Sequence, residues 1–116
     1  MLILTVWTLK PSDVACNCFR KYMHELSTCQ KRAESDWHFD MRTVNRKSRE
    51  FCCGTWQSIT CSTKLITSKT SKCNQTEQLS VQWYYMQYVN IEIGSGGSGN
   101  CSKFPLGAHT CNHYLN

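Results

Sequence analysis

No run of this chain approaches the roughly 20 apolar residues that an α-helix needs to cross a bilayer. The sequence also lacks a Gly-x-Ser-x-Gly elbow, a His-Glu-x-x-His pair, a phosphate-cradling glycine loop and a Cys-x-x-Cys redox pair. Each of those patterns brings together a nucleophile and its base, two metal ligands or a row of backbone amides. Without them, Glu50, Asp36 and Asp40 are carboxylates with no evident catalytic partner, and no enzymatic activity is expected. Acidic residues are few, 8 against 13 Lys and Arg, for a net charge of +5. The basic residues do not spell nucleic-acid recognition: no aromatics interleave them, and neither a Gly-rich recognition signature nor zinc-finger spacing is present. Glycine is scarce outside one place. Four of the six glycines lie in Gly94-Ser95-Gly96-Gly97-Ser98-Gly99, a flexible linker by composition, either a natural loop or an engineered joint.

Cysteine is what the chain has in abundance. Nine cysteines, at 16, 18, 29, 52, 53, 61, 73, 101 and 111, cover nearly all of its 116 residues. That density marks secreted, extracellular domains stapled by disulfides in an oxidising compartment. The hydrophobic fraction of 41% includes those cysteines, so the remaining apolar set is thin for the length. Disulfides would supply stability at roughly 2–4 kcal/mol each. One domain is expected: an N-terminal segment 1–15, a helical cysteine-rich core 16–93, the linker 94–99 and a C-terminal strap 100–116.

Residues 1–15 have two readings. Leu2 to Leu9 has the length of a signal-peptide h-region, with Ala15 as a cleavage residue. There is no basic n-region, however, and Asp13 would fall at the minus-three position. The alternative is a first segment that packs on the core. Asn74-Gln75-Thr76 and Asn100-Cys101-Ser102 are glycosylation acceptor patterns, as in a secreted glycoprotein.

Ser12 and Asp13 offer a helix cap. Apolar residues then recur at Val14, Cys18, Phe19, Tyr22, Met23, Leu26 and Cys29, which predicts one helix of four turns. Residues 30–48 read as a long polar connection with at most one helical turn, with Trp37, Phe39, Met41 and Val44 scattered through it. A second helix is predicted from about Arg49 to Lys72, with Cys52, Trp56, Ile59, Thr63 and Ile66 on one stripe. Asn74 followed by Glu77 has capping-box spacing. Between Gln78 and Ile93 two periods compete. Leu79, Trp83, Met86 and Asn90 would share a helical face, while Val81, Trp83, Tyr85, Val89, Ile91 and Ile93 alternate as in a strand. A lone strand needs a partner, and no second strand is convincing, so helix is expected. The expected fold is all-α: a small disulfide-stapled bundle of about three helices with an irregular C-terminal strap.

The pattern Cys-Cys-x2-Trp-x4-Cys-x11-Cys runs from Cys52 and Cys53 through Trp56 and Cys61 to Cys73. Together with Cys18, Cys29 and the tail from Cys101 through Pro105 and Gly107 to Cys111, it resembles small secreted cysteine-rich proteins of ticks, mites and spiders, including venom and silk-gland secretions. Members commonly carry Asp where Gln57 and Thr60 stand here. The resemblance covers roughly residues 16–112 and implies a secreted helical fold, with helix over 77–93, rather than an activity.

Nine cysteines leave at least one unpaired within a monomer, and eight allow 105 pairings, so spacing does not choose among them. In an antiparallel helix pair, Cys18 and Cys29 are placed to meet Cys61 and one of Cys52 and Cys53. The other vicinal cysteine and Cys73 would then hold Cys101 and Cys111. Cys16 is left as the free thiol, open to a bond with another molecule. Trp56, Trp83, Tyr84 and Tyr88, with Tyr85 among them, either pack the core or line an apolar ligand pocket. Arg42, Arg46, Lys47 and Arg49 form a candidate basic patch for an acidic partner or anionic lipid, or a plain solvated face. His109 and His113 flank Cys111 as weak candidate metal ligands, but a disulfide at Cys111 would remove the thiolate; no metal and no cofactor is expected. The reading is a secreted, non-enzymatic protein with a structural or protein-interaction role, a component of secreted material or venom. Its partner would be an unknown protein or a second copy joined through the odd cysteine, with no nucleic acid and no transmembrane segment. The alternatives are a carrier of small apolar ligands or lipid, and metal sequestration by the tail.

Overall fold

Ser12 is the N-cap of the first described helix: its hydroxyl accepts the Ala15 N–H at 3.2 Å. From there the computed structural model describes residues 11–90, 100–105 and 111. Four helices follow, α1 Asp13–Lys21, α2 Met23–Trp37, α3 Arg49–Ile66 and α4 Gln75–Tyr88, with no strand among the described residues. The class is all-α, as expected. Among the described residues four helices are defined rather than about three, because the first expected helix breaks at Tyr22.

Tyr22 has φ −122° and ψ 20°, outside the helical region. Its N–H turns back to the Phe19 carbonyl at 3.1 Å, one residue short of the α-helical partner. The cause is tertiary. The buried Tyr22 hydroxyl accepts the Lys72 N–H at 2.7 Å, and the Lys72 ammonium lies 5.5 Å from the ring centroid. The apolar spacing runs through this break unchanged. Past it, α2 continues to Trp37, into the stretch expected as a connection, because Ala33 and Trp37 extend the Leu26 and Cys29 stripe at helical spacing. His38 ends α2 in the left-handed conformation, φ 56°, the only positive φ of a non-glycine among the described residues. That reversal aims Phe39 back at α3. Ser48 caps α3 through the Phe51 N–H at 3.2 Å. The helix stops at Ile66 rather than near Lys72, where Thr67 to Thr70 form a turn.

α4 opens on a complete capping box. The Asn74 side chain accepts the Glu77 N–H at 2.8 Å and the Glu77 carboxylate accepts the Asn74 N–H at 2.9 Å. Its helical state decides the competition of periods for 78–88; residues 91–93 lie outside the described residues. The face shared by Leu79, Trp83 and Met86 is not the one α4 buries. Val81, Tyr84, Tyr85 and Tyr88 turn inward, at i, i+3, i+4 and i+7, while Leu79, Trp83 and Met86 face solvent.

α1 packs on α4 and α2 lies antiparallel on α3. Two buried clusters result. One joins Phe19, Tyr22, Leu26, Ile66, Val81, Tyr84 and Tyr85, with the Phe19 ring edge-on to both tyrosines at 5.8 and 5.9 Å. Burial pushes the Tyr85 phenol up to about 12. The other joins Trp37, Met41, Phe51, Trp56 and Tyr88 to the disulfide-bonded Cys52, Cys53, Cys101 and Cys111, with Phe104 of the strap packed against them. Both indoles buried among the described residues are satisfied: Trp37 Nε1 donates to Gln57 Oε1 at 2.9 Å and Trp56 Nε1 to the Phe104 carbonyl at 2.6 Å.

Glu77 is the polar joint between α1 and α4. Its buried carboxylate takes the Lys21 ammonium at 2.8 Å, the Asn74 N–H and the Asn17 side-chain amide. The Lys21 hydrogen bond above all, then those of Asn74 and Asn17, hold its pKa below the ordinary 4.5. A depressed carboxyl stabilises the fold above its unfolded value and loses that contribution as pH falls through the folded value. Thermal unfolding followed by circular dichroism from pH 7 down to pH 2 is therefore expected to show wild-type Tm falling below about pH 4.5, whereas Glu77→Gln starts lower at pH 7 and falls less. Parallel curves for the two proteins would refute this role.

Gly54 permits Phe39 to approach α3 closely. A Cβ there would meet Phe39 Cε1 at 2.4 Å and Cζ at 2.8 Å. Alanine would gain about 1 kcal/mol of helix propensity, but overpacking costs about 1–3 kcal/mol. Gly54→Ala is expected to lower urea-unfolding stability by roughly 1 kcal/mol in net. In the Phe39→Ala background the same change should become stabilising, and the coupling in this double-mutant cycle is the measurement.

Candidate functional site

The cysteines decide which surfaces remain chemically open. Four disulfides form: Cys18–Cys73, Cys29–Cys61, Cys52–Cys101 and Cys53–Cys111, with Cα separations of 5.5, 5.8, 5.6 and 5.4 Å. All lie within the ordinary disulfide range. Cys16 stays unpaired and half-buried. The pairing corrects the expectation in two respects. Cys18 does not reach α3, because the break at Tyr22 places it on α1 beside the start of α4, where it meets Cys73. Both vicinal cysteines, not one, hold the strap. Adjacent helix residues point about 100° apart, so Cys52 and Cys53 reach Cys101 and Cys111 on different sides of α3.

With Cys111 oxidised, the tail has no thiolate to offer a metal. His109 and His113 lie outside the described residues, and the described residues hold no group of three potential ligands. The sequons begin at an exposed Asn74 and a half-buried Asn100. No described helix is long and apolar enough to cross a membrane.

The proposed aromatic pocket does not assemble. Trp56, Tyr84 and Tyr88 are buried, at 4%, 1% and 1% exposure, and serve as core: Tyr84 in one cluster, Trp56 and Tyr88 in the other. Trp83 is 61% exposed on the far side of α4. The cause is the rotation of α4, which buries the tyrosines that pack on Phe19. The basic cluster is likewise not one open patch. Arg42 clasps Asp40, with Nη2 to Oδ2 at 3.0 Å and Nε to Oδ1 at 3.2 Å, and holds that carboxyl below its ordinary range. The Arg46 and Arg49 guanidinium groups each lie 5.9 Å from a ring centroid, of Phe51 and Trp37. Lys47 is exposed.

Two surfaces stand out instead. The first is the outer face of α4, where Leu79, Trp83 and Met86 are 54%, 61% and 56% exposed at i, i+4 and i+7. From Asn74 to Asn90 the only charged residue is Glu77, which is buried. Gln75, Thr76, Gln82 and Asn90 surround the stripe with neutral polar groups. The second is a groove of about 760 Å³ between α2 and α3, beside the Cys29–Cys61 disulfide and Leu65, with His24, Glu25, Arg32 and Lys64 at its rim. The sequence reading missed it because it placed Arg32 in a connection. Extended to Trp37, helical spacing puts Glu25, Cys29 and Arg32 on one stripe, and that periodicity was the available signal.

Compared with protein-family models, with curated proteins and with solved structures, the chain matches none.

Mass-spectrometric mapping of native protein is expected to find iodoacetamide label on Cys16 alone, and to recover cross-linked peptides for the four named pairs. Label on Cys111 or on either vicinal cysteine before reduction would contradict the pairing.

Proposed function

We propose that this chain is a secreted, non-enzymatic, disulfide-stapled protein that works by contact between protein surfaces, and that its first partner is a second copy of itself through the outer face of α4. The exposed Leu79–Trp83–Met86 stripe carries this reading. Four disulfides support an extracellular setting.

Charge selects the partner. The molecule carries +5 overall, yet this face carries none. An acidic partner drawn by that charge would find nothing on α4 to pair with. A second copy would meet an identical neutral face, with no like-charge repulsion and no ion to desolvate. An i, i+4, i+7 stripe is also self-complementary about a two-fold axis. Its three side chains expose roughly 300–400 Å² of apolar area, within the size range of functional patches. Doubled, and with the flanking glutamines, the contact reaches the lower end of specific interfaces, about 1,200 Å². Such an area suits a reversible, concentration-dependent association, as in a secreted material assembled at high protein concentration.

Sedimentation velocity should show Cys16→Ser protein, which cannot form an intermolecular disulfide at that site, shifting from monomer to dimer between about 10 μM and 1 mM. Trp83→Glu in the same background should remain monomeric throughout. Monomer at every concentration, or dimer unaffected by Trp83→Glu, would overturn the reading.

A further inference from the structure

We propose that the groove between α2 and α3 binds a free single-chain amphiphile with an anionic head, an alkyl carboxylate of about ten carbons, whose head lies on Arg32 and whose chain follows the Cys29–Cys61 disulfide to Leu65. This ligand-binding activity uses neither the α4 face nor the aromatic residues first considered as a pocket.

The groove is held open by construction. α2 and α3 run antiparallel, registered by Trp37 on Gln57 at one end and by the Cys29–Cys61 bond farther along. That bond fixes the two backbones 5.8 Å apart at Cα, so the space beside it is present without a ligand. Its volume of about 760 Å³ falls in the range of small-molecule sites. From His24 to Arg32 the α2 wall is about 12 Å long at 1.5 Å per residue, matching an extended chain of about ten carbons. The floor is sulfur and carbon. Cys61 and Leu65 are only half-buried, and the methylene stems of Arg32 and Lys64 extend the apolar wall.

Charge gives the ligand its sign and its direction. Five basic side chains are engaged, Lys21 on Glu77, Arg42 on Asp40, Lys72 over Tyr22, and Arg46 and Arg49 over rings, while Arg20, Lys31, Lys47, Lys69 and Lys103 are exposed but do not line this groove. Arg32 and Lys64 are exposed at the rim with no ion pair among the described residues. The one acid of the groove, Glu25, sits seven residues before Arg32 on α2, at the end shared with Leu65. Lys64, next to Leu65, offsets Glu25 at that end, and the head is assigned to Arg32, whose planar fork suits a carboxylate. A two-chain lipid in a bilayer fits poorly, because a single 12 Å slot seats one chain and Glu25 would face an anionic surface. The ligand is therefore assigned as free in solution.

The test is a titration of native, oxidised protein with sodium decanoate below its micelle concentration, followed by amide chemical shifts. The expected result is saturable shifts confined to residues 24–32 and 61–65, with Kd on the order of 0.1 mM. Arg32→Gln, at an exposed position, should weaken binding about tenfold with the spectrum otherwise unchanged. Leu65→Asp should weaken it by blocking the apolar end. Decyltrimethylammonium, the same chain with a cationic head, should bind at least tenfold more weakly, and phosphatidylglycerol vesicles should not sediment the protein. Non-saturable or scattered shifts, equal binding of the two heads, an unaffected Arg32→Gln, or vesicle binding as tight as decanoate would each overturn the assignment. Trp83→Glu should leave the titration unaltered, so failure here and failure of the self-association reading are separable.

Discussion

Three of the four disulfides end on α3, at Cys52, Cys53 and Cys61, and the whole arrangement depends on that helix staying continuous. Its intrinsic preference does not secure this. Gly54 and the β-branched Thr55, Ile59, Thr60 and Thr63 are mediocre helix formers. Tertiary enclosure does. Phe51 to Trp56 are buried without a break, so at this level α3 has no solvent face. Phe39 lies against Gly54, Trp37 bonds Gln57, and the strap carbonyl at Phe104 receives the Trp56 indole. Even the buried Thr55 hydroxyl, which has no partner among the described residues, is retained inside this sleeve.

Local chemistry was legible in the sequence and long-range contact was not. The Ser12 cap and the Asn74–Glu77 box are written within four residues and stand as read. The break at Tyr22 depends on Lys72, 50 residues away, and leaves no mark on the apolar period. From that omission followed the wrong partner for Cys18, since a continuous helix would have carried it to α3. The face of α4 was ambiguous for a different reason. Its apolar residues occupy two opposite sides, so periodicity marks a helix without saying which side goes in. Phe19 decides, by offering its ring to Tyr84 and Tyr85. The groove at Arg32 escaped notice because polar residues 30–36 read as a loop until Ala33 and Trp37 are seen to continue the stripe.

The fold sorts its resources by helix pair. The α1–α4 pair commits its inward polar groups to Glu77 and leaves an uncharged apolar stripe outside. The α2–α3 pair commits its aromatics to the strap and leaves a lined groove with basic residues at its edge. The two surfaces share no residue, so occupation of one need not displace the other. Reactive groups are few by comparison: one half-buried thiol, and histidines without a described cluster.

The adjacent cysteines of α3 carry a consequence for how the covalent framework is chosen. Exchanging the strap partners of Cys52 and Cys53 would alter each loop, 49 and 58 residues in sequence separation, by a single residue. Loop-closure entropy differs between the two isomers by less than about 0.1 kcal/mol, so chain statistics are blind to the swap. What distinguishes them is the turn of about 100° between the two side chains on α3 against strap residues held by the Phe104 N–H on the Cys101 carbonyl at 3.0 Å and the Phe104 carbonyl on Trp56. The choice between the two isomers therefore rests on non-covalent packing around α3, not on chain length.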